Sequence, residues 1–86
     1  MQISYDKHAD VMYVWFAPIA PPYVNIENKN GDVVRISEKE GVVVGLVILF
    51  AMERLKSGKP LDIPEVGSEH LNEFAISLMR AEVEHA

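Results

Sequence analysis

The sequence predicts an α+β fold: an antiparallel β-meander of four or five strands, one short helix and one longer C-terminal helix. Between residues 2 and 50, short runs of β-branched and aromatic residues alternate with clusters of Asp, Asn, Gly and Pro, the pattern of strands joined by tight turns. From Leu71 onward the period becomes helical, with Leu71, Phe74, Ala75 and Leu78 at i, i+3, i+4 and i+7. The run Gly41-Val42-Val43-Val44-Gly45-Leu46-Val47-Ile48-Leu49-Phe50 carries no charge. Strand side chains point alternately to two faces, so both faces of this segment demand cover. The run is too short to span a bilayer, which takes roughly 20 apolar residues.

Gln2 to Asp6 reads as a first strand, with Ile3 and Tyr5 alternating against Gln2, Ser4 and Asp6. Asp6-Lys7-His8-Ala9-Asp10 is a polar turn, and Val11 to Phe16 is a second strand, apolar on both faces. Pro18, Pro21 and Pro22 then mark a loop, because proline cannot donate to a ladder. In Tyr23 to Glu27, Val24 and Ile26 face one way and Tyr23, Asn25 and Glu27 the other. Asn30-Gly31 predicts a hairpin closed by a type I′ turn, whose central residues need φ > 0. Val33 to Ser37 is the return strand, and Glu38-Lys39-Glu40-Gly41 turns the chain into the long apolar strand. Ala51 to Ser57 can form about two helical turns ended by Gly58. Residues 59–67, with Pro60 and Pro64, read as an extended connector. Ser68 is a suitable N-cap for a final helix over 68–85, with Glu69 favoured in its first turn. The expected core is Val14, Phe16, Ile36, Leu46, Ile48, Leu71, Phe74 and Leu78.

The 86 residues suit a single domain, 1–86. At this size folding buries about 60–65 % of the unfolded surface, so a strongly apolar core or a partner subunit is needed. The 49 % hydrophobic content suits either. Cysteine is absent, which excludes disulfides, thiolate zinc sites and a cysteine nucleophile. Eight basic residues stand against 13 acidic ones, for a charge of −5. The basic residues are scattered rather than clustered, so direct nucleic-acid binding is not expected. No basic segment followed by an apolar one opens the chain, and the expected location is cytoplasmic with no membrane association.

The opening Tyr5-Asp6-x-x-Ala9-Asp10-x-Met12-Tyr13-Val14 resembles the Y-D-x-x-A-D-x-L-Y-I start of domain of unknown function family 2283, a family of small bacterial and archaeal proteins. The resemblance continues through Gly41 to Leu49 and a short helix ending at Leu55, covering about residues 2–55. Two departures stand out: Val47 occupies a position where an acidic residue is common, and Phe50-Ala51 replaces the usual Asp-Ala. The resemblance implies a small α+β domain without an established activity. Some relatives lie beside genes for small RelE-like toxins, which implies an antitoxin-type binding role by analogy.

Asp6, His8 and Asp10 stand at i, i+2 and i+4. On a continuous strand they would share a face and could hold a divalent metal. Within a turn, aspartates instead accept hydrogen bonds from backbone amides two residues on, and the turn is the favoured reading. No catalytic residue is expected. His70 and His85 are too far apart for one site, the serines lack a nucleophile elbow, and Gly41 and Gly45 lack phosphate-loop spacing. No cofactor is expected. Tyr13 and Trp15 share a strand face and read as aromatic core. Ile76, Met79 and Val83 form a second apolar stripe on the final helix, the expected interface with a second copy.

The expected function is a non-enzymatic interaction module, a homodimer that also binds a basic protein partner such as a toxin. The alternative is a small metal-binding protein or metal-dependent enzyme using Asp6, His8 and Asp10.

Overall fold

The computed structural model describes residues 1–58, 61 and 63–84, apart from the side chains of Ser68, Glu82, Val83 and Glu84. The strands are β1 (Gln2–Asp6), β2 (Val11–Trp15), β3 (Tyr23–Glu27), β4 (Val33–Ser37) and β5 (Val43–Leu49). Helix α1 (Ala51–Lys56) follows at once, and a 3₁₀ turn (Ser68–His70) leads into α2 (Leu71–Glu84). The α+β class, the antiparallel sheet and the short and long helices are as the sequence predicts.

The five strands lie in the order β1-β2-β5-β4-β3. A single meander would put β3 beside β2. Instead β1–β2 and β3–β4–β5 each run through consecutive strands, and β5 closes against β2, so β2 to β5 form a Greek key. The physical reason lies in the strand compositions. The two strands that are apolar on both faces, β2 and β5, pair with each other inside the sheet, while the alternating strands β1 and β3 take its edges. The link over residues 16–22, with a cis Pro21–Pro22 bond, carries the chain across the sheet end.

Local chemistry sets the turns. Gly31 has φ 85° and its amide donates to Asn28 O at 3.0 Å, whereas Asn30 does not have positive φ. The hairpin is therefore the three-residue form with a left-handed glycine, and not the type I′ turn expected. Asn28 Oδ1 accepts the amides of Asn30 and Asp32, holding this loop shape.

Cross-strand pairs Met12↔Ile48, Val14↔Leu46 and Val34↔Leu46 stack the core face. Phe74 and Leu78 of α2 seal it. Of the expected core, Val14, Leu46, Ile48, Phe74 and Leu78 are buried, while Phe16, Ile36 and Leu71 pack against it partly buried. The segment read as a connector contributes Leu61 and Ile63 to the core; its residues 59, 60 and 62 lie outside the described residues. Among the described residues, no helix is long and apolar enough to cross a membrane.

A register shift between Arg35 and Ile36 bulges β5 just before Gly45. At Gly45 a Cβ would stand 2.9 Å from Val14 O and 3.5 Å from Trp15 Cε3. The missing side chain lets the Val14 carbonyl of β2 approach β5 closely, with the Trp15 ring at ordinary contact distance beside it. Gly45→Ala should therefore force β5 away from the Val14 carbonyl and cost about 1–3 kcal/mol, seen as a lower urea midpoint. An unchanged midpoint would mean that the approach of β2 to β5 does not depend on this glycine.

Candidate interaction surface

The turn between β1 and β2 uses both of its aspartates structurally. Asp6 Oδ1 accepts the amides of His8 (3.0 Å) and Ala9 (3.2 Å), an Asx-type turn. Asp10 has φ 54°, a conformation that Asp tolerates better than most residues. Its carboxylate accepts the Tyr5 hydroxyl (2.8 Å) and the amides of Met52 (2.7 Å) and Glu53 (3.2 Å). Asp10 thus caps α1 from a distant turn, satisfying donors that the helix start leaves open. Phe50, at the N-cap itself, makes no side-chain cap. His8 is exposed. Among the described residues, no group of three or more His, Asp or Glu side chains comes together in a way that could hold a metal.

Partial burial works to raise the Asp10 carboxyl. The hydrogen bonds from Met52, Tyr5 and Glu53 outweigh it and hold the group below its ordinary 3.8.

The turn between β3 and β4 supplies a second support. Asp32 is fully buried, accepts the Leu49 amide at 3.1 Å, and takes both its contacts with Arg54 of α1 from Nη1, at 2.8 and 3.0 Å. Arg54 Nη1 also reaches Leu49 O at 3.3 Å. A buried carboxylate needs such a partner, because an uncompensated charge there is costly.

The helices cover one sheet face only. On the other face lie Tyr13, Trp15 and Arg35, next to buried Met12, Val14 and Val34 along their strands, and Tyr23, placed there by its register with β4. Tyr13 and Trp15 are therefore not the aromatic core expected of them. The Trp15 and Tyr23 rings meet at 5.7 Å across β5 and β4. Arg35 lies 5.0 Å from the Trp15 ring centre and 5.8 Å from that of Tyr23, the geometry of a cation–π contact. Arg35 Nε donates to Asn25 Oδ1 at 3.1 Å, which fixes the guanidinium along the sheet. A cleft of about 410 Å³ adjoins the cluster, lined by Gln2, Trp15, Phe16, Pro18, Ile19 and Tyr23 among others.

Of the expected interface stripe, Ile76 and Met79 are 45 % and 49 % exposed; the Val83 side chain lies outside the described residues. Phe50 is 61 % exposed and held at φ 53°, an unusual conformation for a bulky residue. His70 packs against Phe16 (5.1 Å) and Phe74 (6.2 Å), and His85 lies outside the described residues. Sequence reasoning missed Arg35, Asp32, Arg54 and Phe50. Strand parity could have placed Arg35 opposite the core beside Trp15, but nothing in the sequence links Asp32 to Arg54.

The family described as protein of unknown function (DUF2283) matches residues 2–51. The chain belongs to DUF2283. No curated protein and no solved structure matches it. In this DUF2283 chain Tyr5, Asp6 and Asp10 act on the fold itself, closing a turn and capping α1.

Two outcomes follow from these supports. Arg54→Ala should cost about 3–5 kcal/mol by stranding the Asp32 charge, and Asp32→Asn with Arg54→Leu should recover much of that loss in urea titrations. A double variant as unstable as the single one would contradict this account. Asp10→Ala should cost about 1–2 kcal/mol at neutral pH. Because the folded carboxyl titrates below its unfolded value near 3.8, its charge-dependent part is complete above that value and lost as pH falls through the folded one. The gap between wild type and Asp10→Ala should accordingly narrow in acid, as parallel melts at pH 7 and pH 3 will reveal.

Proposed function

We propose that this chain is a non-enzymatic interaction module that associates with itself and docks a basic protein partner through its open sheet face. The observation that supports the reading is the Tyr13, Trp15, Tyr23 and Arg35 cluster on the face that no helix covers. Tyr, Trp and Arg are the residues that dominate binding energy at protein interfaces. A cluster already packed ring to ring gives up little rotamer freedom on binding. The charge of −5 favours a basic partner by long-range attraction, which raises encounter rates more than final affinity. An antitoxin-like role is the form of this reading that the family's toxin-linked relatives suggest, with occlusion of the toxin's working surface as the mechanism.

The test is capture of partners from the native host, starting with the product of any neighbouring small basic gene, followed by calorimetry on the purified pair. Tyr13→Ala with Arg35→Ala should weaken that binding at least about 30-fold, equivalent to about 2 kcal/mol, while the circular dichroism spectrum is kept. Undiminished affinity in the double variant would remove the open face from the interaction. A wild-type chain that is monomeric and captures nothing would end the reading.

A further inference from the structure

The exposed edge of β3 carries the pattern of a strand that pairs with itself. The backbone register shows which of its groups are available. Asn28 N donates to Asp32 O at 2.9 Å and Glu38 N to Pro22 O at 3.1 Å, one beyond each end of the β3·β4 pair. Hydrogen-bonded positions alternate along an antiparallel pair. Counting inward from either end assigns Val24↔Ile36 and Ile26↔Val34 to hydrogen-bonded positions. The amides and carbonyls of Tyr23, Asn25 and Glu27 therefore point away from β4, and β3 ends the sheet.

Among the described residues, that edge lacks the usual protection. Natural edges are blunted by lysines, a proline, a bulge or a covering element. β3 itself holds no lysine and no proline, and the sheet's register shift lies between β4 and β5. Val24 and Ile26 point to the core side yet stay 43 % and 48 % exposed. At the opposite edge, Ile3 and Tyr5 of β1 pack against the core, so that edge offers no comparable apolar gain.

Resting on the self-association reading above, we propose that β3 pairs antiparallel with β3 of a second copy about a two-fold axis centred on Asn25, making one continuous sheet. In this register every outward group of the strand finds a partner. Asn25 faces Asn25 of the other copy, and Tyr23 faces Glu27, all at hydrogen-bonded positions. Val24 faces Ile26 at the intervening positions, where Cα atoms approach to about 4.5 Å and side chains lie closest. Glu27, the strand's charged residue, meets a tyrosine and never its own copy. Pro21 and Pro22 bound the pairing, since neither can donate beyond Tyr23. The axis is perpendicular to the sheet, so both helical layers fall on one side and both Trp15–Tyr23–Arg35 clusters on the other. This closed isologous contact is the commonest route to a dimer.

Sedimentation of the full chain across the micromolar range tests it. Wild type should be dimeric. Asn25→Pro removes an outward amide and the Arg35 Nε–Asn25 Oδ1 bond while leaving the β3·β4 backbone bonds in place, and should weaken dimerisation at least about tenfold. Val24→Lys with Ile26→Lys sets like charges opposite each other and should give monomer. Val24→Lys with Ile26→Glu sets opposite charges there and should restore the dimer. This last contrast reads the register itself and does not depend on Asn25→Pro folding. A dimer that ignores all β3 variants but dissociates with Ile76→Glu and Met79→Lys would overturn the β3 pairing and leave self-association standing. A monomeric wild type would overturn both.

Discussion

The placement of β5 is the constraint on which the rest of the structure depends. Its side chains are apolar on both faces, so the strand is stable only with neighbours on each side and cover above and below. β2 and β4 supply the neighbours, and Phe74, Leu78, Leu61 and Ile63 complete the cover on one face. On the other face the cover comes from β2 and β3 themselves. Trp15 lies over Gly45 and reaches Tyr23, with Arg35 between them. The missing Cβ at Gly45 lets the β2 backbone come close to the central strand beneath this cover.

Two aspartates from opposite halves of the sheet converge on the short helix that leaves β5. Asp10, from the β1–β2 turn, caps the start of α1, and Asp32, from the β3–β4 turn, holds Arg54 within it. A helix of this length is not stable alone, and tertiary bonds hold it at both ends of the sheet's sequence order. The same contacts tie the β1–β2 hairpin to the β3–β4–β5 unit. Phe50 stands apart, exposed and in a left-handed conformation. Asp would tolerate that backbone better, and a bulky aromatic kept there adds apolar surface beside the cap.

Covering one sheet face with one long helix leaves an apolar surplus that the chain does not bury by itself. The surplus lies in separate places: the aromatic cluster, the outer strand β3, and the outward stripe of α2 with Ile76 and Met79. These places differ in chemistry. The cluster offers rings and a cation, β3 offers backbone groups as well as apolar side chains, and the helix stripe offers side chains alone.

The sequence by itself determined the local elements, because strand alternation, helical period and turn residues act over a few residues. Strand bounds, the short helix ended near Gly58 and the buried face of α2 with Phe74 and Leu78 follow from those rules. It also identified the turn over Asp6 to Asp10, where Asp6 serves the nearby amides of His8 and Ala9, but not the capping of α1 by Asp10 across some forty residues. Only the tertiary structure decided the order of the strands, since the two most apolar strands pair with each other whatever their separation in sequence. It alone decided that Tyr13 and Trp15 face away from the core, because parity gives relative faces and not which face the helix covers. The Asp32–Arg54 pair was equally hidden: its members lie far apart in the chain and meet only when β5 is in place to bring α1 over the β3–β4 turn.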